Sequence, residues 1–251
     1  MRVKANFSYQ SLTPEVQLDA LASVAIYPES GLITLNSYEN RVFLFTDENK
    51  IRYVVKFYRP QRWSEAQLKE EHQFCQTLYN KGCQVASPVE INGQTLFHFQ
   101  GYHFALFPSL SARSMELDNI DILYDIGCAL GKMHRIAAQE KFKYRETLSI
   151  ATMLSNPIKE LRSSIYIPTS VRAPLFTTLE TLEREITIQF NRHKHKIIRL
   201  HGDCHASNIL VRDESPYFVD FDDCKMGPAV QDIWMLLSGT TEEKKLQLSM
   251  L

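Results

Sequence analysis

Residues 201–208, His-Gly-Asp-Cys-His-Ala-Ser-Asn, hang between two short apolar runs, Ile197 to Leu200 and Ile209 to Arg212, and this arrangement limits the fold more than any other feature. The flanking runs are short and rich in β-branched residues, so they read as strands. A third such run, Tyr217 to Asp220, ends in a carboxylate. Strand, polar loop, strand, turn and strand therefore follow one another within one short stretch of chain.

The rest of the chain sorts into two parts. Thr13-Pro14 caps a short helix with proline at its first position and Val16, Leu18, Leu21 and Ala25 on its apolar face. Leu32 to Leu35, Arg41 to Thr46 and Arg52 to Tyr58 read as strands, with a hairpin turn at Asp47 to Lys50. Ser64 to Gln67 fits a capping box that opens a helix to about Lys81, with Gly82 placed to end it. Two more strands follow around Thr95 to Phe99 and Tyr102 to Phe107, with turns at Asn92-Gly93 and Gln100-Gly101. After Pro108, helical periodicity takes over in Ile120 to Ala138 and in Leu175 to Phe190, the latter through Leu179, Leu182 and Ile186. Ala229 to Leu237 reads as a final helix. The expected fold is α+β: a small antiparallel β-rich lobe over residues 1–108 and a larger, mainly helical lobe over 109–251. A cleft between two such lobes is a natural ligand site.

Charge and hydropathy narrow the classes. Lys and Arg total 28 and Asp and Glu 29, which leaves a net charge of -1 and no electrostatic case for nucleic acid or an anionic membrane as partner. Nothing approaches the apolar run that spans a bilayer. Met1 to Leu12 is polar and lacks the apolar stretch of a signal peptide. Five scattered cysteines without a C-x-x-C spacing fit reduced thiols in a cytoplasmic protein.

The polar residues supply the parts of phosphoryl transfer, which needs a placed nucleophile, metal on the phosphates and a cation beside them. Asp203 and Asn208 have the D-x-x-x-x-N spacing in which the acid accepts the proton of the attacking hydroxyl and the carboxamide oxygen binds Mg²⁺. Asp220 is the second expected Mg²⁺ ligand and reaches the phosphates through the metal. Lys56 interrupts an apolar strand, Tyr53 to Phe57, as a phosphate-holding lysine does. Its carboxylate partner is expected on the following helix. Glu70 and Glu71 are adjacent and point to different faces, and Glu71 shares its face with Phe74, Cys75 and Leu78. There is no G-x-G-x-x-G; Ser37, in the loop after the first strand, is expected to meet the phosphates of ATP instead. His201 is expected to pack and hydrogen-bond the loop, and His205 to face substrate or phosphate.

HGDCHASNIL together with VDFDD resembles the aminoglycoside phosphotransferase and choline kinase superfamily, which has a protein-kinase-like fold. LNSYENRV, VVKFYRP, EEHQF, NGQTL and GPAVQDIWMLL extend the resemblance, in order, to the bacterial stress-response protein kinases of that superfamily. The resemblance implies a cytoplasmic bacterial Ser/Thr kinase, a monomer that uses ATP and Mg²⁺, acts on a protein hydroxyl and phosphorylates itself. It implies catalytic roles for Asp203 and Asp220, metal ligation by Asn208 and Asp220, and ATP contact by Ser37. It also implies that Asp232 braces the 201–208 loop. Such proteins continue with more helices after the segment matching Trp234 to Leu237, so a chain ending at Leu251 is expected to lack the last helices of the large lobe. The alternatives are a kinase for a small alcohol, sugar or aminoglycoside, and an inactive kinase-like binding module. The excess of Lys and Arg in residues 141–174 disfavours a polycationic acceptor.

Overall fold

The computed structural model describes residues 9–115 and 120–251; residues 1–8 of the expected first lobe lie outside the described residues. Helix α1 (Pro14–Ala22) is capped by the Thr13 hydroxyl, which accepts from the Val16 N–H. Of its expected apolar face Leu21 is buried and Val16 is partly buried against the sheet core, whereas Leu18 is exposed and Ala25 lies past the helix end in a left-handed turn. The helix meets the sheet along Val16, Gln17, Ala20 and Leu21, a narrower stripe than its apolar residues trace.

Five strands form one antiparallel sheet: β1 (Ile33–Leu35), β2 (Arg41–Thr46), β3 (Arg52–Phe57), β4 (Phe97–Phe99) and β5 (Tyr102–Pro108), in the order β1-β2-β3-β5-β4. The β2–β3 register, Arg41 opposite Phe57, is set by the expected turn. There Asp47 Oδ1 accepts from the N–H groups of Asn49 and Ile51, and Lys50 takes a positive φ. Phe43, Phe45, Val55, Phe57, Phe104 and Leu106 build the core against α1. Helix α2 (Glu65–Asn80) carries the full Ser64/Gln67 capping box and ends at Gly82, whose φ is +76°. It crosses the boundary between the lobes. Phe74, Cys75 and Leu78 precede Pro108 in the chain, yet they join the core of the second lobe.

The second lobe contains β6 (Arg113–Ser114), α3 (Ile120–Ala137), α4 (Asn156–Ser163), α5 (Thr169–Arg192), β7 (Ile197–Leu200), β8 (Ile209–Arg212), β9 (Ser215–Phe218), β10 (Lys225–Pro228), α6 (Val230–Trp234) and α7 (Thr241–Met250). Strands β6, β8 and β9 form one small sheet, and β7 pairs with β10. Strand β9 runs earlier than Tyr217 to Asp220 because Asp213 and Glu214 both take positive φ, closing the β8–β9 hairpin in two residues. Helix α5 begins at Thr169, ahead of Pro174, whose missing N–H costs one ladder bond. Its expected apolar face is not a core face. Leu182 and Ile186 are 48% and 41% exposed, and only Phe176 is buried. Among the described residues no helix is long and apolar enough to cross a membrane.

Candidate active site

A cavity of about 700 Å³ lies between the sheet and the small β6-β8-β9 sheet. Its wall includes Ser37, Lys56, Glu71, Asn208 and Asp220, so five of the six site residues read from the sequence converge on it. The sixth, Asp203, is not on that wall. It stands beside it, because Asn208 Nδ2 donates to the Asp203 carbonyl at 2.9 Å and reaches Asp203 Oδ2 at 3.4 Å. Strand β8 starts immediately after Asn208, and the Val219 N–H donates to the Asn208 carbonyl at 2.9 Å. That bond places Asn208 and Asp220 side by side on neighbouring backbones.

The 201–208 loop is held from below. Asp232, fully buried on α6, accepts the N–H groups of His201 (3.0 Å) and Gly202 (2.8 Å), and His134 Nε2 of α3 lies 2.9 Å from the same carboxylate. The bracing expected of Asp232 is thus seen in its contacts; the His134 contact had no signal in the sequence. Gly202 turns the chain at a φ of +88°. His201 does pack inside the loop. Its Nε2 lies 2.9 Å from the Val219 carbonyl, and its Nδ1 accepts from the Asp203 N–H at 3.3 Å. A carbonyl can only accept, so these two contacts select the tautomer with the proton on Nε2. His205 Nε2 lies 3.4 Å from Asp203 Oδ2.

The charge pairing departs from expectation. Lys56 donates to Asp220 Oδ1 at 2.6 Å and to Asp222 Oδ1 at 3.0 Å. The expected Lys56–Glu71 pair is not formed: Glu71 Oε2 accepts from Arg145 Nη2 at 2.7 Å, with both side chains buried. Arg145 arrives because Glu70, on the other face of α2, gathers the backbone N–H groups of Lys143, Tyr144 and Arg145. Arg145 then donates to the Gln67 carbonyl, to the Asp222 carbonyl and to Glu71, and its guanidinium lies 4.3 Å from the Trp63 ring centre. Nothing in the sequence near Arg145 marks this role.

Electrostatics follows from burial and these partners. Burial works against the Lys56 ammonium, but Asp220, Asp222 and Glu71 outweigh it and hold the group well above the ordinary lysine range. Partial desolvation in the cleft pushes the Asp220 carboxyl up, and Lys56 more than reverses that, leaving it below the usual carboxylate range. Burial, with Asp222 beside it, pushes Glu71 up to about 7 against the pull of Lys56 and Arg145. Burial also pushes the thiols of Cys75, Cys204 and Cys224 up, which makes them poor nucleophiles.

The donor set suits Mg²⁺. Asn208 spends its Nδ2 on Asp203 and leaves Oδ1 without a hydrogen bond among the described residues, and Asp220 offers a carboxylate that is 44% exposed to the cavity. Two hard oxygen ligands with room for water and phosphate oxygens match the coordination Mg²⁺ prefers.

Known proteins resemble this chain along most of its length. The chain is 46% identical over 242 residues to "Stress response kinase A" of Escherichia coli strain K12, covering 96% of this chain and 73% of that one. It is equally similar, with the same coverage, to "Serine/threonine protein kinase RdoA" of Salmonella typhimurium strain LT2. The solved amicoumacin kinase hAmiN, described in complex with AMP-PNP, Ca²⁺ and Ami, superposes with a TM-score of 0.75 at 19% identity, covering 93% of this chain and 75% of that one. Its likeness establishes the fold, an antiparallel sheet followed by a helical lobe. The model of the family described as "Phosphotransferase enzyme family" matches residues 32–250, and the chain belongs to that family.

Proposed function

We propose that the protein transfers the γ-phosphate of ATP to a serine or threonine hydroxyl of a protein, itself included, in the bacterial stress response. The observation that carries this is the convergence of Lys56, Asn208 and Asp220 on one cavity with Asp203 one hydrogen bond away. The names of its relatives, a stress response kinase and a serine/threonine protein kinase, supply the acceptor class. We place it in the bacterial cytoplasm, where five free thiols stay reduced, and take it to act as a monomer.

Residues 1–108 act as the nucleotide-binding lobe and 109–251 as the lobe that carries the 201–208 loop. Lys56 holds the α- and β-phosphates, and Ser37 closes over them from the β1–β2 loop. Asn208 and Asp220 hold Mg²⁺, which when bound neutralises charge on the β- and γ-phosphates. The Asp203 carboxylate, kept in place by Asn208 and by the Asp232 brace beneath the loop, accepts the proton of the attacking hydroxyl.

The test is transfer of labelled γ-phosphate to the protein itself, to a generic protein and to small alcohols, in wild type and in Asp203→Asn. Transfer to protein should dominate and should fall by roughly 10²–10⁴-fold in the variant, with ATP binding retained. Wild-type rates in Asp203→Asn would sink the mechanism. Preference for a small alcohol would move the enzyme to the other branch of its family.

A further inference from the structure

If Lys56 holds phosphate, as proposed above, it needs a counter-charge that stays with it when Asp220 is engaged elsewhere. Its two carboxylates are not equivalent. The Asp220 side chain is 44% exposed and on the cavity wall, whereas that of Asp222 is 6% exposed and lies behind it. The free oxygen of Asp222 accepts from Asn40 Nδ2 at 2.6 Å. Asn40 is itself buried, and its own oxygen accepts the Arg59 N–H at 3.0 Å, so its amide cannot flip without losing both bonds. Arg145 meanwhile donates to the Asp222 carbonyl and occupies Glu71. We infer that Asp222, fastened by Asn40, is the positioning residue that aims Lys56 at the nucleotide phosphates, in the place expected of a carboxylate on α2.

The physical grounds are burial and division of labour. A buried ammonium needs a buried counter-charge. Asp222 supplies one without leaving its position behind the wall, which frees Asp220 to face metal and phosphate. Asp222 also ties the residue that closes the Ser37 loop, Asn40, to the backbone turn that carries Asp220. One carboxylate therefore couples three parts of the nucleotide site. An amide cannot replace it, because the site asks for two acceptor oxygens, one for Lys56 and one for Asn40, and an amide has one.

The test measures binding of ADP and of a non-hydrolysable ATP analogue by calorimetry, in EDTA and in Mg²⁺, alongside steady-state transfer. Asp222→Asn should weaken nucleotide binding about tenfold in both conditions, as loss of a charge-assisted hydrogen bond does. Glu71→Gln should lose less. KM for ATP should rise while KM for the protein acceptor stays, a split that general loosening of the fold would not produce. Lys56→Ala placed on Asp222→Asn should add less than about twofold, because the two act as a unit. Wild-type affinity in Asp222→Asn, a larger loss in Glu71→Gln, or additive losses overturn the inference. So does a loss confined to Mg²⁺, which would assign Asp222 to the metal. If Lys56→Ala binds nucleotide normally, the phosphate role of Lys56 falls and the inference with it. If Lys56→Ala weakens binding and Asp222→Asn does not, the inference alone falls. Should Asp222→Asn fail to fold, Asn40→Ala takes its place, with about a threefold loss expected and no change overturning the inference.

Discussion

Gly202 carries the 201–208 loop through a backbone conformation that an L side chain adopts at a cost. A Cβ at that position would also sit 2.1 Å from the Asp223 carbonyl oxygen, and that neighbour is backbone. Gly202→Ala is expected to cost about 3 kcal/mol or more and to depress phosphoryl transfer further, because Asp203 is the next residue. A urea midpoint near wild type would refute this. His72 gives a pH signature. It is buried between the Tyr58 hydroxyl (2.7 Å) and Thr95 Oγ1 (2.9 Å), and burial with Lys56 and Arg145 nearby pushes it down to about 3. The folded state therefore keeps His72 neutral while the unfolded chain protonates near its ordinary value. Stability from this group is present above about pH 6.5 and is lost as pH falls, by about 2 kcal/mol between pH 7 and pH 5. His72→Gln should flatten that limb of the urea-midpoint profile; an unchanged slope would count against it. At this scale Asp203, Asn208, Asp220 and Lys56 were legible because spacing and strand context mark them. Asn40, Asp222 and Arg145 were not, because their roles rest on contacts across 74 to 182 residues of chain.

At the scale of elements, local chemistry decided where pieces begin and end. The Ser64 side chain accepts from the Gln67 N–H at 3.3 Å, and Gln67 Oε1 accepts from the Ser64 N–H at 2.9 Å. Ser64→Ala is expected to cost about 1 kcal/mol and Ser64→Gly only a few tenths, read from urea midpoints. Equal losses in the two would show that the cap is not the source. Strand β2 matches its expected bounds because alternation and a turn-forming Asp47 act within a few residues. Strand β9 slipped because Asp213-Glu214 makes a tight hairpin without the glycine that announces one. The α5 pattern identified a helix but not a buried face, since periodicity states which residues share a side and not what lies opposite.

Across the whole molecule, Arg145 is a buried link between the lobes, beside those that Lys56 and Asn40 make to Asp222. It reaches from the segment after α3 to Gln67 and Glu71 on α2 and to the turn that carries Asp220. Arg145→Met leaves a buried carboxylate unpaired and should cost about 3–5 kcal/mol, while the double variant Arg145→Met/Glu71→Leu should be more stable than the single one. Additive losses in urea denaturation would contradict this. By itself the sequence determined the element order, the polar loop between strands and the residue types that phosphoryl transfer needs, because these depend on neighbours a few positions apart. Only the tertiary structure decided which carboxylate meets Lys56. Glu71, Asp220 and Asp222 offer the same chemistry, and the choice among them lies in how Glu70 draws Arg145 onto α2, a packing fact with no local trace.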